Sequence, residues 1–177
     1  MADEIERKFL VVGDGWRAAC VRSERLVDGL LASSRTRKVR VRLYADRATL
    51  TVKTARKGRV RHEFEYEIPV ADAEQLLRTE CGRTRLAKIR HYVPHEGFTW
   101  EVDVYEAPLD GVVLAEVELS SPDQQPPLPP WAGAEVTDDP AFRKRRLFAN
   151  RARKKFRAPG KGKPAAAAKA VSTARRP

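Results

Sequence analysis

Cysteine and histidine are scarce in this chain: of its 177 residues, two are cysteine and three are histidine. Cys20 and Cys81 show no CxxC spacing, which excludes a thiolate metal knuckle and argues against a disulfide-stapled scaffold. They are expected to be reduced thiols, which makes the cytoplasm the expected compartment. His62, His91 and His95 lack the spacing of a metal motif and read as surface or packing residues. No apolar run is long enough to span a bilayer, and the acidic first residues lack the apolar stretch of a secretory leader, so neither a membrane span nor a signal is expected. A phosphate-binding GxxxxGK[ST] loop is also missing; "GKGKP" near the C-terminus has neither that spacing nor a strand before it.

Acidic residues are absent from 143 to 177, a stretch that holds 14 Lys and Arg. The net charge of +11 therefore belongs to the C-terminus, because residues 1–142 hold 21 bases against all 24 acids. From 151 onward, "RARKKFRAPGKGKPAAAAKAVSTARRP" is low in complexity and carries ten bases. Such a segment buries too little apolar surface to offset its ordering entropy. The expectation is one domain over 1–150 followed by a basic, disordered tail over 151–177. The tail's charge suits salt-dependent, nonspecific contact with nucleic acid or polyphosphate; a plain solubilising extension is the other reading.

Within 1–142, alternating apolar and polar residues mark eight strands, at 3–12, 24–33, 37–44, 47–54, 60–69, 85–94, 98–106 and 112–120. Turn signals at Ala45-Asp46, Lys57-Gly58, His95-Glu96-Gly97 and Asp110-Gly111 separate several of them. Two helices are expected. One, 71–82, has Asp72 as a cap and ends at Gly82; the other, 138–150, has Asp139 as a cap and Pro140 at its first turn. A weaker helical signal lies near 15–22, and 121–134 reads as a proline-rich connector. Trp16, Trp100 and Trp131 are expected to pack.

The charges fall on one strand phase, since residues i and i+2 point the same way. Glu4, Glu6 and Lys8 share a face, and so do Arg40 and Arg42 in "VRVRL". Arg61, Glu63, Glu65 and Glu67 alternate with Phe64, Tyr66 and Ile68. Lys88 pairs in phase with Arg90, Glu101 with Asp103, and Glu116 with Glu118, while Lys53 follows Thr49 and Thr51. An ordinary solvent face mixes neutral polar groups with charges, whereas these faces carry almost only ions, sorted by sign. Like charges side by side cost stability unless opposite charges face them. Eight antiparallel strands suffice to close a barrel. The expected fold is therefore mainly β, an eight-stranded antiparallel closed tunnel with a few outer helices and the charged phase inward. A lumen with bases on one side and carboxylates on the other suits a polyphosphate and a hard divalent cation, Mg²⁺ or Mn²⁺. A generic charged β-domain is the alternative.

The motif "EIERKFLV" resembles the N-terminal ExExK signature of the triphosphate tunnel metalloenzymes, also called the CYTH family. "VRVRL", "LTVK", "RHEFEYEIP", "AKIRHYV", "WEVDVY", "LAEVEL", "PPW" and "EVTDDPAF" follow in the order of its small bacterial branch, over about residues 3 to 148. The resemblance implies metal-dependent chemistry at triphosphates. It casts Glu4, Glu6, Glu116 and Glu118 as metal ligands. It casts Lys8, Arg40, Arg42, Lys53, Arg61, Lys88 and Arg90 as phosphate binders, with Glu4, Glu6, Lys8 and Arg61 central to catalysis. Glu63, Glu65, Glu101 and Asp103 would line the lumen, holding a second metal or orienting water. The sequence departs from the family's pattern where Leu30 takes the place of a tyrosine, and where Phe142 and Lys144 take the places of a C-terminal tyrosine and asparagine.

The function expected on this basis is divalent-metal-dependent hydrolysis of a triphosphate, inorganic or organic, by direct attack of water. A polyphosphate- or nucleotide-binding module without turnover is the second reading, motivated by Leu30, and an adenylate cyclase ranks below it. The expected partners are a small triphosphate or polyphosphate, with the chain a monomer or homodimer.

Overall fold

The computed structural model describes residues 2–56, 60–143 and 146–147; the expected tail at 151–177 and the Lys57-Gly58 turn lie outside the described residues. Nine strands follow one another: β1 (Ala2–Val11), β2 (Arg22–Ser33), β3 (Arg37–Leu43), β4 (Ala48–Thr54), β5 (Val60–Ile68), β6 (Arg85–His95), β7 (Phe98–Tyr105), β8 (Val113–Glu118) and β9 (Ala132–Glu135). One α-helix, α1 (Val70–Thr79), lies between β5 and β6. Every pairing is antiparallel, in the order β5-β4-β3-β2-β6-β7-β8-β1-β9. A further pairing of β5 with β1 closes the first eight into a ring, the tunnel expected from the alternation.

β1 is the seam. Its first residues pair with β5 (Glu4 opposite Arg61), its middle with β8 (Glu6 opposite Glu118, Lys8 opposite Glu116), and its end with β9 (Val11 opposite Ala132). The hairpin from β6 to β7 turns on Glu96 and Gly97, both with positive φ (44° and 82°), the arrangement a two-residue turn between right-twisted strands requires.

The outward phase of the ring is apolar and covered in two places. Phe9, Val93, Trp100, Val102 and Val117 lie beneath Trp16 and Trp131. Trp16 comes from a short 3-10 turn (Gly15–Ala19), where a weak helix was expected; Trp131 comes from the proline-rich connector. Around the ring, Val41 and Ala48 meet Ala73, Leu77 and Cys81 at α1 and its C-terminal end. Helix and sheet come so close that a Cβ on Gly29 would sit 2.5 Å from Cys81 Sγ and 2.6 Å from Leu77 Cδ2.

The inward phase is not charged throughout. Leu10, Leu30, Leu86, Tyr105 and Leu114 belong to it and gather with Leu109, Val112, Val136, Phe142 and Leu147 into an apolar plug. Two elements there differ from expectation. β9 lies partly inside the segment read as connector, its short "AGAE" showing no alternation. The expected helix 138–150 starts as foreseen, with Asp139 accepting a hydrogen bond from Ala141 N and Pro140 at the first turn. It breaks at Arg143, whose backbone is extended, with helical residues again at 146–147; residues 144–145 and 148–150 lie outside the described residues. On a continuous helix Phe142 and Leu147 would point apart, whereas the break lets both enter the plug.

Candidate active site

Beyond the plug the inward side chains are mostly ions, and they pair chiefly between neighbouring strands of the ring. Arg42 donates from Nε and Nη2 to the two oxygens of Asp28 at 2.6 and 3.1 Å. Arg90 does the same with Asp103 at 2.8 and 2.9 Å, reaches Glu116 at 3.3 Å and also contacts Glu101. Lys88 is bonded to Asp103, and Lys8 to Glu116 at 2.6 Å. At the seam Arg61 holds Glu4 at 2.6 and 2.8 Å and Glu6 at 3.0 Å, while Lys53 bridges Glu4 (2.8 Å) and Glu63 (2.6 Å). Arg40 donates to Thr51 at 3.1 Å and reaches Glu65 at 3.4 Å. Buried ion pairs barely offset their own desolvation, so stability comes mainly from the apolar clusters. The ions are held in place at a cost, which is the mark of a site rather than a core.

Two cavities lie inside the ring and share Glu6, Arg40 and Lys53. The first, about 390 Å³, is basic: Lys8, Arg35, Lys38, Arg56, Arg61 and Arg143 line it, and Glu6 is the one acid among the described residues that do. Thr137 brings the C-terminal segment over it, held because Lys8 N donates to Thr137 Oγ1 at 3.0 Å and Val136 N to Lys8 O at 2.8 Å. The second, about 330 Å³, is acidic: Glu4, Glu63, Glu65, Glu101, Glu116 and Glu118 line it, with Arg42 and Arg90 among them.

Titration follows this division. Burial would raise the Glu4 carboxyl, but the bond from Arg61 and the charges of Lys53 and Arg61 hold it far below the usual range. Glu63 lacks that protection: burial and the adjacent Glu4 push it up to about 7 despite Lys53. Burial, with Glu101, Glu4 and Glu6 nearby, raises Glu118 as well. In the basic cavity, burial and the charges of Arg61, Lys53, Lys8 and Arg143 lower Lys38 to about 8.

Of the expected site residues, Glu6, Lys8, Arg40, Lys53 and Arg61 line the basic cavity, and Glu4, Arg42, Glu63, Glu65, Arg90, Glu101, Glu116 and Glu118 the acidic one. Lys88 and Asp103 line neither; both side chains are sealed from solvent and brace Arg90. Sequence reasoning missed Asp28, although it stands alone as an acid between Leu26 and Leu30 on the inward phase of β2. It also missed Lys38, which is in phase with Arg40. Arg35, Arg56 and Arg143 come from loops and carry no periodic signal.

A hard divalent cation fits the donor chemistry of the acidic cavity. Glu4, Glu6, Glu116 and Glu118 offer oxygen alone, and Glu6 faces Glu118 directly across the β1–β8 pair, a like-charge opposition that a cation relieves. Among the described residues no three acidic, imidazole or thiol groups are already grouped to hold a metal; the carboxylates of Glu4, Glu6 and Glu116 are engaged by bases. Metal binding therefore requires these carboxylates to exchange partners.

Comparison with known proteins agrees with this geometry. The family model described as CYTH domain matches residues 2–145. An inorganic triphosphatase of Acetivibrio thermocellus is 38% identical over 150 residues, covering 85% of this chain and 96% of that protein. One from Nitrosomonas europaea is 34% identical over 151 residues, covering 81% and 95%. A crystal structure of an inorganic triphosphatase, 31% identical, covers 83% of this chain and 95% of its own with a TM-score of 0.59. A match that takes in the whole ring, with relatives this similar over nearly their full length, means that the chain belongs to the CYTH domain family.

Proposed function

We propose that this chain hydrolyses inorganic triphosphate inside the ring, using Mg²⁺ or Mn²⁺, in the cytoplasm. The observation that carries the reading is the sorting of charge between two cavities that meet at Glu6, Arg40 and Lys53. The names of the two relatives, inorganic triphosphatases, point the same way. Among the described residues no helix is long and apolar enough to cross a membrane.

Lys8, Arg40, Lys53 and Arg61 take the phosphoryl oxygens, arginine through paired bonds. Arg42 and Arg90 extend that set into the acidic cavity, and Lys88 with Asp103 fixes Arg90. Glu4, Glu6, Glu116 and Glu118 hold the cation, which when bound neutralises phosphate charge and lowers the pKa of water. Water adds to a terminal phosphorus, the bridging P–O bond breaks, and the bases stabilise the charge that develops on the leaving diphosphate. The water's proton goes to a carboxylate of the acidic cavity outside the cation-holding set, such as Glu63. No side-chain nucleophile is needed.

The test is phosphate release from tripolyphosphate by the full chain, with and without the cation. Glu6→Gln should abolish release while the far-ultraviolet spectrum stays that of the wild type; equal release by both proteins overturns the metal assignment. One observation favours a second reading, a binding module without turnover: Leu30 lines the basic cavity where the resemblance implies a tyrosine. That reading predicts a large thermal shift with tripolyphosphate and cation but no release over hours.

A further inference from the structure

The ring is closed along only part of β5. Residues Val60 to Glu63 pair with Ile5 to Ala2 of β1, while Phe64 to Ile68 pair with β4 alone. On the side away from β4, the backbone N–H and C=O groups of 64–68 have no strand partner among the described residues. The side chains along this edge are open as well. On the outward phase Tyr66 is 59% exposed, and neither it nor the half-buried Phe64 belongs to any of the three apolar clusters. On the inward phase Glu65 and Glu67 are exposed, and Glu67 forms no ion pair or side-chain hydrogen bond among the described residues. A bare strand edge beside an exposed aromatic ring is a template for one more strand.

We propose that residues 151–157 of this chain, "RARKKFR", dock on this edge of the same molecule as a further strand. In an extended segment Arg151, Arg153, Lys155 and Arg157 share one phase, and Ala152 and Phe156 lie on the other with Lys154. The edge of β5 carries the complement, Glu65 and Glu67 on one phase and Phe64, Tyr66 and Ile68 on the other. In either direction of pairing, the bases fall beside the two glutamates and the apolar residues beside Tyr66, the cross-strand matches that stabilise a sheet. A second copy of β5 is disfavoured on this edge, because antiparallel pairing about Tyr66 sets Glu65 against Glu67. The described chain ends at Leu147, in the plug that Leu30 joins, and Leu30 and Arg143 line the same cavity as Arg61 of β5. The chain thus leaves on the side of the ring where the bare edge begins, and the four residues from Leu147 to Arg151 bridge up to about 14 Å. Pro159 and Gly160 then end the pattern. The segment lies beyond the family model, which stops at residue 145, and its docking does not depend on what the ring hydrolyses.

The experiment is amide hydrogen exchange on the full chain, read at residues 64–68, with β6, which is paired on both sides, as the internal reference. In the double variant Arg153→Glu, Lys155→Glu the N–H groups of this edge should exchange about tenfold faster than in the wild type. The pair Lys161→Glu, Lys163→Glu makes the same change in charge beyond Pro159 and should leave the rates as they are. The pair Arg153→Lys, Lys155→Arg should keep the wild-type rates. None of these positions lies in the ring, so every variant retains the edge to be probed. Equal rates in the wild type and the first variant overturn the proposal. Acceleration by both charge reversals alike does so too, since it reports long-range charge rather than a docked strand. Wild-type rates should also survive a dilution of about a hundredfold; protection lost on dilution assigns the strand to a second copy and overturns docking within one molecule.

Discussion

Arg61 grips Glu4 through two nitrogens, at 2.6 and 2.8 Å, at the point where the first strand of the ring meets the fifth. The same pair closes the ring and joins the two cavities. Removing the base leaves Glu4 enclosed with Lys53 alone. Arg61→Ala should cost about 3 kcal/mol, as the breaking of a buried pair does, and lower the melting temperature by roughly 6–12 °C. Turnover of tripolyphosphate should be lost with it. Arg61→Lys should recover much of the stability but little of the turnover, because an ammonium cannot form the paired bonds. Calorimetry and phosphate release check the two effects separately.

Glu63 sets a pH dependence of definite sign. Burial raises its pKa from 4.5 to about 7, so between those values the folded chain keeps a proton that the unfolded chain has released. The stability this group contributes is full below pH 4.5 and is lost as pH rises to 7. Glu4, held far down, works in the opposite sense at lower pH. The melting temperature of Glu63→Gln minus that of the wild type, without metal, should therefore increase from pH 5 to pH 8. After allowance for partial solvation the change is about 1–2 kcal/mol, a few degrees. A difference that stays flat across that range contradicts the assignment.

Metal and polyphosphate should bind cooperatively. Each alone must pull apart pairs such as Lys8–Glu116 and Lys53–Glu4, stranding an opposite charge. Together they give every freed group a partner. The thermal shift with Mg²⁺ and a slowly hydrolysed tripolyphosphate analogue should exceed the sum of the separate shifts, a coupling of about 1–3 kcal/mol. Additive shifts would mean that the carboxylates and bases do not exchange partners.

Gly29 tests the outer packing independently of the site. A methyl group there collides with Cys81 and Leu77, so Gly29→Ala should destabilise by about 1–3 kcal/mol in urea titrations. Cys81→Ala in the same chain should recover part of the loss. Per folded molecule kcat should hold, because Gly29 faces α1 rather than the lumen.

The ring was legible in the sequence because one residue in two is committed: Val39, Val41 and Leu43 go outward, Arg40 and Arg42 inward. The same periodicity exposed the charged lumen, since ions on a buried phase have no ordinary explanation. What it hid came from two sources. Asp28 sits between leucines because the inward phase changes from ionic to apolar within β2, so a strand that feeds the plug looks like a core strand. Arg35, Arg56 and Arg143 reach the lumen from loops, where no period exists to read. β9 was hidden because a four-residue strand with one glycine and two alanines is recruited by the free edge of β1 rather than by its own propensity.

That edge has a consequence for synthesis. The first strand finds its partners in segments that begin at residues 60, 113 and 132. A nascent chain thus carries an unmatched N-terminal ribbon until nearly the whole domain has emerged. Such distant pairing folds slowly, and an open ribbon invites association with other chains. Fragments ending before residue 132 should accumulate as aggregates rather than as partial barrels.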